Sequence, residues 1–129
     1  MKKSILIRNA TIVNENKSFK GDVLIENEHI KKISTFITVD NSVEIIDAKE
    51  SYLIPGFIDD QVHFREPGLT HKANISTESK AAIAGGITTF IEMPNTTPQA
   101  TTQALLEDKF AIAAKDSYAN YSFMFGGTN

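Results

Sequence analysis

Gly56-Phe57-Ile58-Asp59-Asp60-Gln61-Val62-His63-Phe64-Arg65-Glu66-Pro67-Gly68 runs a short apolar strand straight into a crowded set of metal-type and anion-type ligands. Phe57, Ile58 and Val62 carry β-propensity, and Glu66-Pro67-Gly68 is turn chemistry that ends the extended run. Period-two alternation predicts that Gln61, His63 and Arg65 share one strand face, with Asp60 on the other. An imidazole at such a place is a good zinc ligand. A guanidinium shortly beyond it is the side chain suited to grip a carboxylate through paired hydrogen bonds.

Downstream, the rhythm is strand, loop, helix. Phe57 to Val62 leads into a loop from Phe64 to Ala73. A helix is then expected from about Ser76 to Ala84, capped by Asn74 or Ser76 and stopped by Gly85-Gly86. Ile87 to Glu92 reads as a second strand, Pro94-Asn95-Thr96-Thr97-Pro98 as a loop, and Thr102 to Lys115 as a second helix. Leu106, Phe110 and Ala113 fall at i, i+4 and i+7 of that helix, which predicts one buried stripe. Tyr121, Phe123 and Phe125 alternate as a third strand. Strands alternating with helices of this length argue for a parallel sheet of right-handed βαβ units.

Upstream of about position 53 the pattern is β-rich and punctuated. Ile5 to Ile7, Ala10 to Val13, Asp22 to Ile25, His29 to Ile33 and Val43 to Ile46 are separated by Asn14-Glu15-Asn16, Lys20-Gly21 and Glu26-Asn27-Glu28, the signature of hairpins in a small sheet. The organisation expected is therefore a β-rich part over 1–54 and a β/α part over 55–129.

Composition narrows the classes. With 129 residues, 41% of them hydrophobic, the chain can bury a core. A net charge of −3 with both signs scattered offers no basic field for nucleic acid or an anionic membrane, and neither partner is expected. The absence of cysteine removes disulfides, thiolate metal sites and cysteine nucleophiles together. Lys2-Lys3 before Ile5-Leu6-Ile7 imitates a secretion signal, but Arg8 and Asn9 cut the apolar run short of the roughly 7–15 residues needed. A cytoplasmic protein is the default expectation.

The motif around His63 resembles the start of the amidohydrolase superfamily, and within it the dihydroorotases, whose first barrel strand reads Asp-x-His-x-His and continues Phe/Leu-Arg-Glu-Pro-Gly. Ser79 to Ala84, Gly85-Gly86-Ile87-Thr88-Thr89 and Met93-Pro94-Asn95-Thr96-Thr97-Pro98 are similar to the same family. The resemblance implies an α/β fold: a small N-terminal β-sandwich part, then the first β-α-β-α-β units of a TIM-type (β/α)8 barrel. Such a barrel needs roughly 250 residues, so a truncated product or fragment is expected, with little or no turnover alone.

The resemblance further implies a zinc-dependent hydrolase of cyclic amide C–N bonds. The reaction would interconvert N-carbamoyl-aspartate and dihydroorotate in pyrimidine biosynthesis, in an enzyme that is a homo-oligomer when full length. His63 is then a ligand of the more buried of one or two zinc ions, and Arg65 and Asn95 bind the substrate carboxylate. No catalytic acid or base is assigned within this chain, because the family's remaining ligands lie farther along the barrel.

The first histidine of the family pair is replaced by Gln61. A carboxamide is a weaker ligand than imidazole, and three readings stand: an altered or single-metal site, a homologue that has lost catalysis, or a substitution without consequence. Arg65 as a carboxylate clamp competes with Arg65 paired to Asp59 or Glu66, and Asn95 as a substrate ligand competes with Asn95 as a turn former. Asp59 is expected to make local hydrogen bonds and His71 to be solvated, while His29 gives no functional signal. Two rival functions remain: a catalytically silent homologue acting as an assembly partner, and a hydrolase of the allantoinase or hydantoinase type.

Overall fold

The computed structural model describes residues 4–127, so Lys2-Lys3 and the end of the chain at Asn129 lie outside the described residues. Two compact units part between Pro55 and Gly56.

The first unit is one five-stranded sheet. It comprises β1 (Ser4–Asn14), β2 (Lys17–Glu26), β3 (His29–Ser34), β4 (Glu44–Asp47) and β5 (Tyr52–Leu53). The order is β3-β2-β1-β4, with β5 also paired to β1. β1 and β2 form an antiparallel hairpin whose turn residues Glu15 and Asn16 both adopt positive φ, 49° and 61°. Their twist matches that of the flanking strands. Ile5 to Ile7 and Ala10 to Val13, expected as separate strands, are one continuous β1. Arg8 and Asn9 form a bulge inside the ladder, with Asn9 at φ 56° and the register shifting between Ile7 and Ala10. The bulge holds because the buried Asp22 carboxylate accepts the Asn9 N–H at 3.1 Å. Ala10, Ile12 and Val23 form the core, with Ile7, Ile25, Ala48 and Leu53 packed on it.

The second unit reads β6 (Phe57–Val62), α1 (Ile75–Ala84), β7 (Ile87–Glu92), α2 (Gln103–Asp116), β8 (Asn120–Phe123). The strands form a three-stranded parallel sheet in the order β6-β7-β8. α1 packs against β7 and α2, and α2 packs against β8. α1 starts at Ile75 because Asn74 accepts the Thr77 N–H at 2.9 Å. It stops where Gly85 donates back to Ala81 and Gly86 turns to φ 87°. Thr102 caps α2 through the Leu105 N–H.

Val62, Phe64, Ile75, Phe90, Ala113, Ala119 and Phe123 make the core of this unit, with the Phe64 and Phe90 rings 4.5 Å apart. The α2 stripe differs from the one expected. Ala113 is buried and Leu106 packs on the core, but Phe110 stays 39% exposed, touching Tyr121 and Phe123 from the side. The buried position between Leu106 and Ala113 is Lys109. β8 ends at Phe123, and Phe125 lies exposed beyond it rather than continuing the alternation.

Candidate functional site

Parallel pairing aligns the carboxyl ends of the three strands. Val62 lies opposite Glu92, and Glu92 opposite Phe123. The Met93 N–H donates to the Val62 carbonyl at 3.0 Å and the Met124 N–H to the Glu92 carbonyl at 2.9 Å. His63 therefore leaves β6 on the same edge where Met93-Pro94-Asn95 leaves β7. In βα architectures this edge is where functional side chains gather.

His63 and Asn95 meet there. His63 Nδ1 lies 3.0 Å from Asn95 Oδ1, with both side chains exposed. An amide oxygen only accepts, so this contact puts the imidazole proton on Nδ1 and leaves the Nε2 lone pair facing away from the bond. Among the described residues the Asn95 side chain makes only this hydrogen bond, through its oxygen. A bond from one ring nitrogen to a neighbouring oxygen is how proteins fix the tautomer of a metal-binding histidine.

Gln61 and His63 are exposed while Val62 and Phe64 are buried, in keeping with alternation. The alternation does not reach Arg65. This residue takes φ 69°, in the left-handed region, so its half-buried side chain is not placed by strand geometry as the sequence implied. Nor does it pair with Asp59 or Glu66. The ion pairs among the described residues are Arg8–Asp22, Lys20–Glu50 and Lys109–Glu92. Asp59 accepts the Gln61 N–H at 3.1 Å, a local hydrogen bond. Glu66 accepts the Ile75 N–H at 2.8 Å and so fastens the loop to the start of α1, where a helix N-terminus favours negative charge. His71 and His29 are exposed.

The two loops lock face to face. The Thr97 N–H donates to the Pro67 carbonyl at 3.1 Å, and Gly68, at φ 86°, lies so close to Thr97 that a Cβ would overlap the Thr97 carbonyl. Beneath them lies a pair that sequence reading missed. Glu92 and Lys109 are each 1% exposed, with Lys109 Nζ 3.0 Å from Glu92 Oε2. Lys109 directs its hydrogen bond to the Met93 carbonyl, 3.0 Å away, and neither Glu92 oxygen accepts a well-directed hydrogen bond. Burial raises the Glu92 carboxyl above its ordinary value; the Lys109 charge and the Arg65 backbone N–H oppose this, and the Glu66 charge adds to it. A lysine at i, i+3 and i+4 among Leu105, Leu106, Ile112 and Ala113, opposite a lone acid closing an apolar strand, was the available signal.

Among the described residues no three His, Cys, Asp or Glu side chains converge as a metal site. A hollow of about 390 Å³ lies in the first unit, lined by Lys20, Asp22, Lys49 and Glu50 among others, and none of the motif residues borders it.

The amidohydrolase family match extends over residues 52–129. The chain is similar to the dihydroorotase of Methanosarcina mazei, 42% identical over 124 residues, covering 96% of this chain and 27% of that protein. It is similar also to the dihydroorotase of Lactococcus lactis, 43% identical over 115 residues, covering 88% of this chain and 27% of that one. The L-hydantoinase (dihydropyrimidinase) of Arthrobacter aurescens superposes with TM-score 0.91 at 27% identity, over 99% of this chain and 28% of that one. The chain thus spans about a quarter of the length of the curated relatives it matches, and its fold is that of the N-terminal part of the hydantoinases. With the match running from Tyr52 through the His63 strand edge and both βα units, the chain belongs to the amidohydrolase family.

Proposed function

We propose that this chain supplies the opening segment of a cyclic amidohydrolase of the dihydroorotase type, with dihydroorotate and N-carbamoyl-aspartate as its substrates. Residues 1–54 form the β-rich part and residues 55–129 the first units of a (β/α)8 barrel, in a homo-oligomeric, cytoplasmic enzyme of pyrimidine biosynthesis. The observation that carries the reading is the His63–Asn95 hydrogen bond at the carboxyl edge of a parallel sheet, beside Arg65. A histidine engaged through Nδ1 by an amide side chain, with a guanidinium two residues farther along the chain, supports this reading, since the combination suits an anionic ring substrate.

Zinc fits this chain in part. His63, with its Nδ1 already engaged, fits one ligand position, and Gln61 on the same exposed face offers a carboxamide oxygen in place of a second imidazole. A catalytic zinc takes about three protein ligands, which the described residues do not assemble. What these residues do is bind and orient: Arg65 and Asn95 hold the substrate carboxylate, and His63 presents Nε2.

The test is hydrolysis of dihydroorotate by the complete gene product with zinc, alongside metal analysis. Turnover and bound zinc, both lost in His63→Ala, support the reading; absence of both from the wild-type protein overturns it. The 129-residue chain alone is expected to show background hydrolysis only. A second reading, a catalytically silent assembly partner, is favoured by Gln61, and it predicts that the complete product binds no zinc.

A further inference from the structure

We propose that the buried Glu92–Lys109 pair is a positioning device that holds the Arg65 and Asn95 loops in register with each other. The inference rests on the reading that those two residues grip a substrate carboxylate. The pair sits at the root of the Asn95 loop, which is itself bonded to the Arg65 loop. On one side Lys109 donates to the Met93 carbonyl, the root of Met93-Pro94-Asn95, while the Met93 N–H is held by Val62. Met93 is thus fixed through both of its backbone polar groups, and the proline that follows transmits that constraint to Asn95 with little freedom. On the other side the Thr97 N–H, two residues past Asn95, donates to the Pro67 carbonyl, which ties the Arg65 loop to the Asn95 loop. Arg65 adopts a left-handed φ of 69°, which a non-glycine residue keeps only where its surroundings hold it there.

Simple packing does not account for this arrangement. Both side chains are 1% exposed on elements otherwise lined by apolar residues, where a hydrophobic pair of similar volume is often equally stable. Lys109 satisfies the backbone carbonyl at the root of the Asn95 loop, and Glu92 holds the charge of Lys109 in place. Both are positioning residues, since neither touches the substrate; they act through Asn95 and Arg65.

The discriminating variant is Glu92→Gln/Lys109→Met, which keeps volume and removes both charges. Its thermal midpoint reports whether the fold survives, and Glu92→Gln alone, which keeps Lys109 on the Met93 carbonyl, serves as the milder comparison. The first readout is the ¹⁵N spectrum of the His63 ring in the zinc-free complete gene product. The wild type is expected to hold the proton on Nδ1 through Asn95. In the double variant that bias is lost, while Glu92→Gln retains it. The second readout is KM for dihydroorotate against dihydrouracil, the ring without the carboxylate. The double variant is expected to raise KM for dihydroorotate by about ten-fold more than for dihydrouracil, the scale of one misplaced charge-assisted hydrogen bond. An unchanged His63 tautomer, or equal KM changes for the two rings, overturns the proposal. If the wild-type protein hydrolyses neither ring, the dihydroorotase reading fails, and the His63 spectrum still decides whether the pair positions Asn95.

Discussion

Lys109→Met leaves the Glu92 carboxylate buried without its counter-charge and the Met93 carbonyl without its donor. Breaking one partner of a buried pair costs about 3–5 kcal/mol. The half-buried Met93 carbonyl that loses its donor accounts for part of that loss, about 1 kcal/mol. Both side chains of the pair are 1% exposed, so solvent screening does not reduce the figure. Adding Glu92→Gln to Lys109→Met removes the stranded charge and should recover about 2–3 kcal/mol, a coupling that a double-mutant cycle isolates. The pH dependence has a definite sign. Burial holds the Glu92 carboxyl above its ordinary value, so relative to variants carrying Glu92→Gln its contribution to stability is fully present below the ordinary carboxylate range and is lost as pH rises through the raised value. Losing Lys109 removes an opposing influence and raises the carboxyl further. Urea denaturation followed by circular dichroism at about pH 5 and about pH 7.5 measures both effects. Lys109→Met should fall well below the double variant at the higher pH and approach it at the lower. Equal stability of the two at the higher pH would refute the buried ion pair.

Gly68→Ala forces a Cβ against the Thr97 carbonyl at φ 86°, and is expected to cost about 2 kcal/mol or more and to break the His63–Asn95 contact, as seen in the His63 ring ¹⁵N shifts. Phe90→Ala empties the centre of the second core, where Phe90 is fully buried against Phe64 and Tyr121. About 3–5 kcal/mol should be lost in urea denaturation. Asn74→Ala removes the α1 cap on Thr77 and should cost about 1 kcal/mol, measured as a lowered thermal midpoint.

The second unit was largely legible in the sequence because its boundaries are written in local chemistry. Asn74 caps α1, Gly85-Gly86 stops it, and Pro94 and Pro98 bound the loop. That His63 and Asn95 share one edge follows from parallel strands, but the sequence paired Asn95 with Arg65, and the His63–Asn95 hydrogen bond emerged only from the structure. What escaped were features set by tertiary context. The Arg8-Asn9 bulge depends on Asp22 in another strand. β5 exists only through its pairing with β1. Arg65 departs from alternation because the backbone turns left-handed after Phe64. Lys109 reads as a surface residue by type, and its burial follows from Glu92, which approaches only once α2 has folded onto the sheet. Phe110 gave way on the apolar stripe for the same reason.

The most direct test of the account is kcat/KM for dihydroorotate and for dihydrouracil in the complete gene product, with Arg65 intact and as Arg65→Met. A guanidinium that grips the substrate carboxylate predicts a loss of about a hundred-fold with dihydroorotate, the scale of a charge-assisted bidentate contact, and little change with the ring that lacks the carboxylate. Equal losses on both rings, or none on either, would contradict it.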